Sequence, residues 1–241
     1  MKKNIPNFIT LGNLLAGVVA LVVDSLELSL LLIFIAAVLD FLDGLVARLL
    51  GVSGEMGKQL DSLADVVSFG VVPGVLVFRF LNEFIDPASV VEYLILAAPL
   101  SMAIAGAWRL ARFNIDTEQT NYFKGLPIPA NGIFWIGYLM LFDPKDPIIS
   151  DLTVVIPLTI VMTIVMSLIM ISKIKILNFK VKSLSWQGNK SRYTFLVLAT
   201  FIIFWSIFKQ RPFLAVPACI LLYLITSIIH YYILQKNEVQ S

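Results

Sequence analysis

Long apolar runs recur from Ile5 to Tyr232, separated by short polar breaks. A helix needs about 20 apolar residues to cross a bilayer. In lipid only helices and closed barrels satisfy every backbone N–H and C=O. The runs are too long for barrel strands and lack their two-residue alternation. The pattern therefore predicts an all-α, polytopic transmembrane helical bundle. Eight spans are expected: 5–23, 29–50, 62–82, 90–113, 125–142, 151–172, 193–209 and 212–234. Only 14% of the residues are charged, against about 25% in soluble domains, which excludes a soluble domain on one anchor. We read residues 1–241 as a single membrane-embedded domain. It carries an acidic motif at 40–65, a following region at about 66–135 and additional helices at about 151–234. No small-residue cleavage site follows the first run, so it is expected to be retained rather than removed as a signal peptide.

Lys and Arg set the orientation, because cytoplasmic loops carry them in excess. With the N-terminus inside, only Arg79, Lys145, Lys209 and Arg211 face outward. Lys2, Lys3, Arg48, Lys58, Arg109, Arg112 and the basic linker 173–192 face the cytoplasm. Both termini are thus expected inside, with the acidic motif at the cytoplasmic end of spans two and three. The linker reads as a topology signal or as a contact with anionic membrane lipids. Nothing resembles a nucleic-acid readout module, so no nucleic-acid partner is expected.

Four aspartates interrupt the apolar pattern: Asp40 and Asp43, then Asp61 and Asp65. An aspartate at membrane depth costs roughly 2.5–3.5 kcal/mol on insertion scales. Residues three or four apart share one helix face, so two facing helices can point all four carboxylates into one cavity. Hard oxygen donors suit Mg²⁺ or Mn²⁺, as one ion or two. Gly44, Ala47 and Gly57 leave space beside the acids, for a ligand against the backbone or for tight helix packing. Arg48 can bind phosphate or pair with an aspartate. The chain's one histidine, His230, and one cysteine, Cys219, lie far away in sequence. Direct attack is therefore expected, rather than a covalent His or Cys intermediate.

Asp43-Gly44-x2-Ala47-Arg48-x8-Gly57-x3-Asp61-x3-Asp65, with Asp40 three residues ahead, resembles the signature of the CDP-alcohol phosphatidyltransferases. The resemblance implies a membrane enzyme that moves a phosphatidyl group from a CDP-linked lipid to an alcohol and releases CMP. It implies Asp40, Asp43 and Asp61 as metal ligands. It makes Asp65 the general base and a further aid in holding metal. Gly44, Ala47 and Gly57 would border the cytidine diphosphate, with Arg48, Thr10 and Asn13 as further candidates there. Thr10 and Asn13 can equally bond each other.

Val66-Val-Ser68-Phe69-Gly70-Val-Val-Pro73, Arg109-Leu-Ala-Arg112-Phe113-Asn114, Phe123-Lys-Gly125-Leu126-Pro127-x-Pro129-Ala130 and the N-terminal Ile5-Pro6-Asn7-x2-Thr10-x2-Asn13 resemble the serine-accepting branch of that family. The resemblance covers roughly 4–135. It implies CDP-diacylglycerol and L-serine as substrates, with phosphatidylserine and CMP as products. The serine carboxylate needs a cationic cradle, for which Arg109 and Arg112 are candidates. Gly125, Leu126 and Pro127 read as a re-entrant turn over the acceptor or as an entry to the fifth span. The expected setting is the inner membrane of a prokaryotic cell, with the site facing the cytoplasm. A homodimer is compatible with this reading. The rival acceptors, glycerol 3-phosphate and an inositol phosphate, would bring a phosphate and want more basic residues. A cation transporter would favour paired acids in both halves of the chain, and no second cluster follows residue 66. A purely structural scaffold leaves four clustered acids unexplained.

Overall fold

The computed structural model describes residues 4–52, 54–116, 122–142, 151–178 and 186–239. Lys2, Lys3, Lys145 and residues 179–185 of the basic linker lie outside the described residues. Helix α1 (Ile5–Val22) and helix α2 (Leu26–Leu50) pack as an antiparallel hairpin. The Ser25 hydroxyl caps α2 by accepting from the Leu28 N–H at 3.2 Å. At the same turn the Arg79 guanidinium closes the end of α1, donating to Leu21 O at 2.6 Å and Val23 O at 3.2 Å. Those carbonyls belong to the last turn of α1, where no intrahelical donor remains.

The third span, Glu55–Asn82, is continuous but not uniform. Helix α3 (Glu55–Asp65) passes into a π-helical turn, Val66–Val71, and then into helix α4 (Val72–Asn82). Pro73 accounts for part of this. It has no N–H for the carbonyl of Phe69 four residues back. The Asn131 side chain reaches that carbonyl instead, at 3.3 Å, while its own oxygen accepts from the Trp135 indole at 3.2 Å. Single π turns of this kind are frequent beside functional sites, and this one begins directly after Asp65.

Helix α5 (Val90–Leu96) and helix α6 (Ser101–Ile115) meet at a 46° bend across the 3₁₀ turn Ala98–Leu100, which contains Pro99. Helices α7 (Ile128–Leu139), α8 (Leu152–Ile171), α9 (Trp186–Phe208) and α10 (Ala215–Val239) follow. Among the described residues six helices are long and apolar enough to cross a membrane, or up to seven if the bent α5–α6 pair counts as one span. The chain is an all-α polytopic membrane protein.

The expected fifth span, 125–142, takes a different form. Its helix α7 has 12 residues, about 18 Å at 1.5 Å per residue, against about 30 Å of hydrocarbon. Nearly every residue of α7 is buried, against α10, α2, α4 and the π turn. A helix apolar on all sides belongs inside a protein. Here it forms part of the core with Phe69, Met102 and Met166.

The described residues also hold one element outside the helical expectation. Strand β1 (Tyr122–Lys124) pairs antiparallel with strand β2 (Lys175–Leu177), Tyr122 opposite Leu177 and Lys124 opposite Lys175. This ribbon joins the segment before α7 to the segment after α8.

Candidate active site

Helical spacing sets the four acids on two facing elements. Asp40 and Asp43 stand on α2, Asp61 and Asp65 on α3. Asp40, Asp61 and Asp65 each present a carboxylate oxygen, and these oxygens lie within 4.8 Å of one another. Asp43, one turn away, is buried and accepts a 2.5 Å hydrogen bond from the Thr10 hydroxyl. Each of the four is in electrostatic range of at least two others. Asp65 is only 6% exposed, and its Oδ1 has no hydrogen-bond partner. Several like charges at such separations repel unless protons or cations intervene. An all-oxygen donor set with an unsatisfied carboxylate oxygen fits a hard divalent cation.

A cavity of about 580 Å³ opens beside the acids. Asp43 and Asp61 reach it together with Thr10, Gly44, Ala47 and Gly57. Its rim is the α2–α3 turn, where Gly51 takes φ +63° and ends α2 in a Schellman motif. The Gly51 N–H bonds Arg48 O at 3.2 Å and the Val52 N–H bonds Ala47 O at 3.0 Å.

The two readings of the small residues now separate. A Cβ built on Gly44 would meet nothing within 4 Å, and one on Gly57 only the Asn7 side chain, at 3.1 Å. Close helix packing therefore does not account for Gly44. Gly44→Val is expected to leave the detergent melting temperature unchanged or higher, since glycine costs about 1 kcal/mol in a helix interior. The same change should raise the KM for whichever substrate this cavity takes about tenfold by filling it. A lower melting temperature with unchanged KM would return Gly44 to a packing role.

The remaining candidates divide by their surroundings. Arg109 is 6% exposed, its Nε has no partner, and it lies in electrostatic range of Asp65. Arg112 is engaged otherwise, donating to Ile171 O at 2.8 Å at the C-terminal end of α8. Arg48 is exposed at the end of α2 and is not among the cavity's described lining residues. Thr10 bonds Asp43 rather than Asn13. Asn13 is fully buried, with both side-chain polar atoms unpartnered, and its carbonyl accepts from Ser68 at 3.2 Å.

Gly125, Leu126 and Pro127 form a turn against the last residues of α8. The Gly125 N–H bonds Ile174 O at 2.8 Å and the Leu126 N–H bonds Ile169 O at 3.4 Å. Gly125 has φ +75° and α8 carbonyls stand where a Cβ would go, so a side chain there would be strained and crowded.

The motif spacing does not single out Lys58, yet it lines the cavity and donates to Asn114 O at 2.9 Å. Asn114 in turn donates to Ser62 at 2.8 Å, binding α3 to α6 beside the acids. Lys58 lies among the unspecified residues between Gly57 and Asp61, which explains why spacing alone passes over it.

The family model described as CDP-alcohol phosphatidyltransferase matches residues 3–174. The chain belongs to the CDP-alcohol phosphatidyltransferase family. A CDP-diacylglycerol–serine O-phosphatidyltransferase of Bacillus subtilis is 32% identical over 179 residues, covering 73% of this chain and 91% of that relative. One of the same name from Helicobacter pylori is 30% identical over 231 residues, 94% of this chain and 90% of the relative. An archaetidylserine synthase of Methanothermobacter thermautotrophicus is 38% identical over 144 residues, 54% of this chain and 58% of that protein. The family match spans both halves of the acidic motif, the cavity and Arg109. It ends at Lys175's neighbour, Ile174, just before β2.

Proposed function

We propose that this protein transfers the phosphatidyl group of CDP-diacylglycerol to the hydroxyl of L-serine, giving phosphatidylserine and CMP. The observation that carries the choice of acceptor is Arg109, a buried guanidinium with an unpartnered Nε in range of Asp65. It supports serine because a single carboxylate beside a hydroxyl suits one buried arginine next to a base. The names of the Bacillus and Helicobacter relatives support the same acceptor. Lys58 is the one basic side chain lining the cavity among the described residues. Lys58 and Arg109 together are little cation for a phosphorylated acceptor such as glycerol 3-phosphate.

The four acids, Asp40, Asp43, Asp61 and Asp65, would hold one or two divalent cations, Mg²⁺ or Mn²⁺, with Asp43 and Asp61 reaching the cavity face. When bound, such an ion supplies positive charge against the pyrophosphate. The protein's own groups do the rest. Gly44 and Ala47 leave room for the nucleotide, and Thr10 orients Asp43. Arg109 holds the serine carboxylate, and Asp65 takes the serine hydroxyl proton as the oxygen attacks the lipid-linked phosphorus. The bond from that phosphorus to the bridging oxygen breaks, and CMP leaves with the bridging oxygen. The positive-inside pattern supports a cytoplasmic site, which matches the water-soluble acceptor and product.

The test is CMP release from CDP-diacylglycerol with a panel of alcohols. L-Serine should be preferred strongly. Arg109→Gln should raise the serine KM about 10- to 100-fold, the range for a lost charged hydrogen bond, with less change in the KM for CDP-diacylglycerol. Equal use of glycerol 3-phosphate would sink serine as the acceptor.

A further inference from the structure

Helix α10 presents three side chains, four residues apart in sequence, to one small target. The Tyr223 hydroxyl donates to Leu177 O at 2.6 Å. The Ser227 hydroxyl accepts from the Leu177 N–H at 3.2 Å. The Tyr231 ring stands 5.5 Å from the Lys175 ammonium, which also lies 4.6 Å from the Tyr122 ring. Residues at i, i+4 and i+8 share a helix face, and this face meets both ends of β2 and the start of β1. Tyr223 and Ser227 are buried. In an otherwise apolar helix, two buried hydroxyls on one backbone residue fix the position of that strand.

The ribbon leads to the acceptor end of the site. Strand β1 runs straight into Gly125-Leu126-Pro127, and the Gly125 N–H bonds Ile174 O beside β2. Lys124 pairs with Asp116 at 2.8 Å, just past the end of α6, the helix that carries Arg109. Arg112, on the same helix, holds the other flank through Ile171 O. Tyr223 itself lies in electrostatic range of Arg109.

All three α10 residues lie beyond the family match, which ends at residue 174. The Bacillus relative is 91% covered by 73% of this chain, whereas the Helicobacter relative aligns over 94% of it. The family match thus leaves α9 and α10 out.

We propose that α10 is a positioning element for the acceptor end of the site, acting through Tyr223, Ser227 and Tyr231 on the β1–β2 ribbon. These are positioning residues that set where Arg109 and the Gly125 turn stand. The inference rests on the reading that Arg109 meets the acceptor.

The experiment uses the full-length protein in detergent, with acceptor and CDP-diacylglycerol varied separately. Tyr223→Phe keeps the ring and deletes the hydroxyl. Lys175→Met keeps the stem and removes the charge between the two tyrosine rings. Both should raise the acceptor KM about five- to tenfold, the scale of one lost hydrogen bond for Tyr223→Phe and of a lost cation–π contact for Lys175→Met. The KM for CDP-diacylglycerol and kcat should stay within about twofold. Unchanged acceptor KM in both variants would overturn the proposal. So would equal losses on both substrates that track a lower melting temperature, since that marks a merely structural contact. Should Tyr223→Phe fail to fold, Lys175→Met decides by the same criteria. The wild-type acceptor panel keeps the two readings apart. If another alcohol replaces serine, the serine reading fails, and the KM split is measured with that alcohol.

Discussion

Excess chelator should abolish CMP release from CDP-diacylglycerol, by about 10³-fold or more, and Mg²⁺ or Mn²⁺ should restore it. The expectation follows from charge. Carboxylate oxygens of Asp40, Asp61 and Asp65 lie within 4.8 Å of one another, and Asp43 stands at the cavity face beside them. Left unneutralised, these groups would repel a pyrophosphate entering the same cavity. A cation at such a site supplies several kcal/mol of charge stabilisation, and about 4 kcal/mol corresponds to 10³ in rate. The same titration has a readout independent of turnover. A cation bound only by the folded protein raises the melting temperature with concentration. The rise should be lost in an Asp40→Asn, Asp61→Asn double variant. Full turnover in excess chelator would end the metal reading.

Helical periodicity made half of this site legible. Spacings of three and four put Asp40 with Asp43 and Asp61 with Asp65, and the structure has both pairs on helices as expected. Which of the four gather is a different matter. It depends on the axial offset and crossing of α2 and α3, which no local pattern encodes. Asp65 joins Asp40 and Asp61, while Asp43 turns to Thr10 on a third helix. The π turn was equally hidden. Its segment, Val66–Val71, reads as ordinary apolar helix, and the partner that satisfies Phe69 O is Asn131, 62 residues away.

Hydropathy also ranked segments by apolarity alone, so it could not tell α7, apolar because it is enclosed by protein, from a span apolar because it meets lipid. The stripe Tyr223–Ser227–Tyr231 was present as a four-residue polar rhythm within a span read as merely hydrophobic. What it served emerged only with β2, a three-residue strand too short to announce itself. The two arginines show the same limit. Three apart on one helix, they look interchangeable, yet α8 carbonyls take up Arg112 and leave the Nε of Arg109 without a partner.

Asp65→Asn and Asp43→Asn should fail in different ways. If Asp65 is chiefly the base, Asp65→Asn lowers kcat by about 10²- to 10⁴-fold, the usual range for loss of a general base. CDP-diacylglycerol binding should survive, because Asp40, Asp43 and Asp61 remain to hold a cation. Asp43→Asn acts at the cavity face, where it removes a charged oxygen and disturbs the bond from Thr10. It should weaken cation and CDP-diacylglycerol binding together. The close grouping of Asp65 with Asp40 and Asp61 makes this a sharp test, since geometry alone would let Asp65 serve as a ligand. Burial argues for the distinct role. Asp65 is 6% exposed, with Oδ1 unpartnered, and Arg109 in its electrostatic range can bring the acceptor's hydroxyl to it. Binding isotherms for CDP-diacylglycerol at fixed Mn²⁺ separate the cases. Equal loss of binding in both variants would make all four acids ligands and leave the proton to another group.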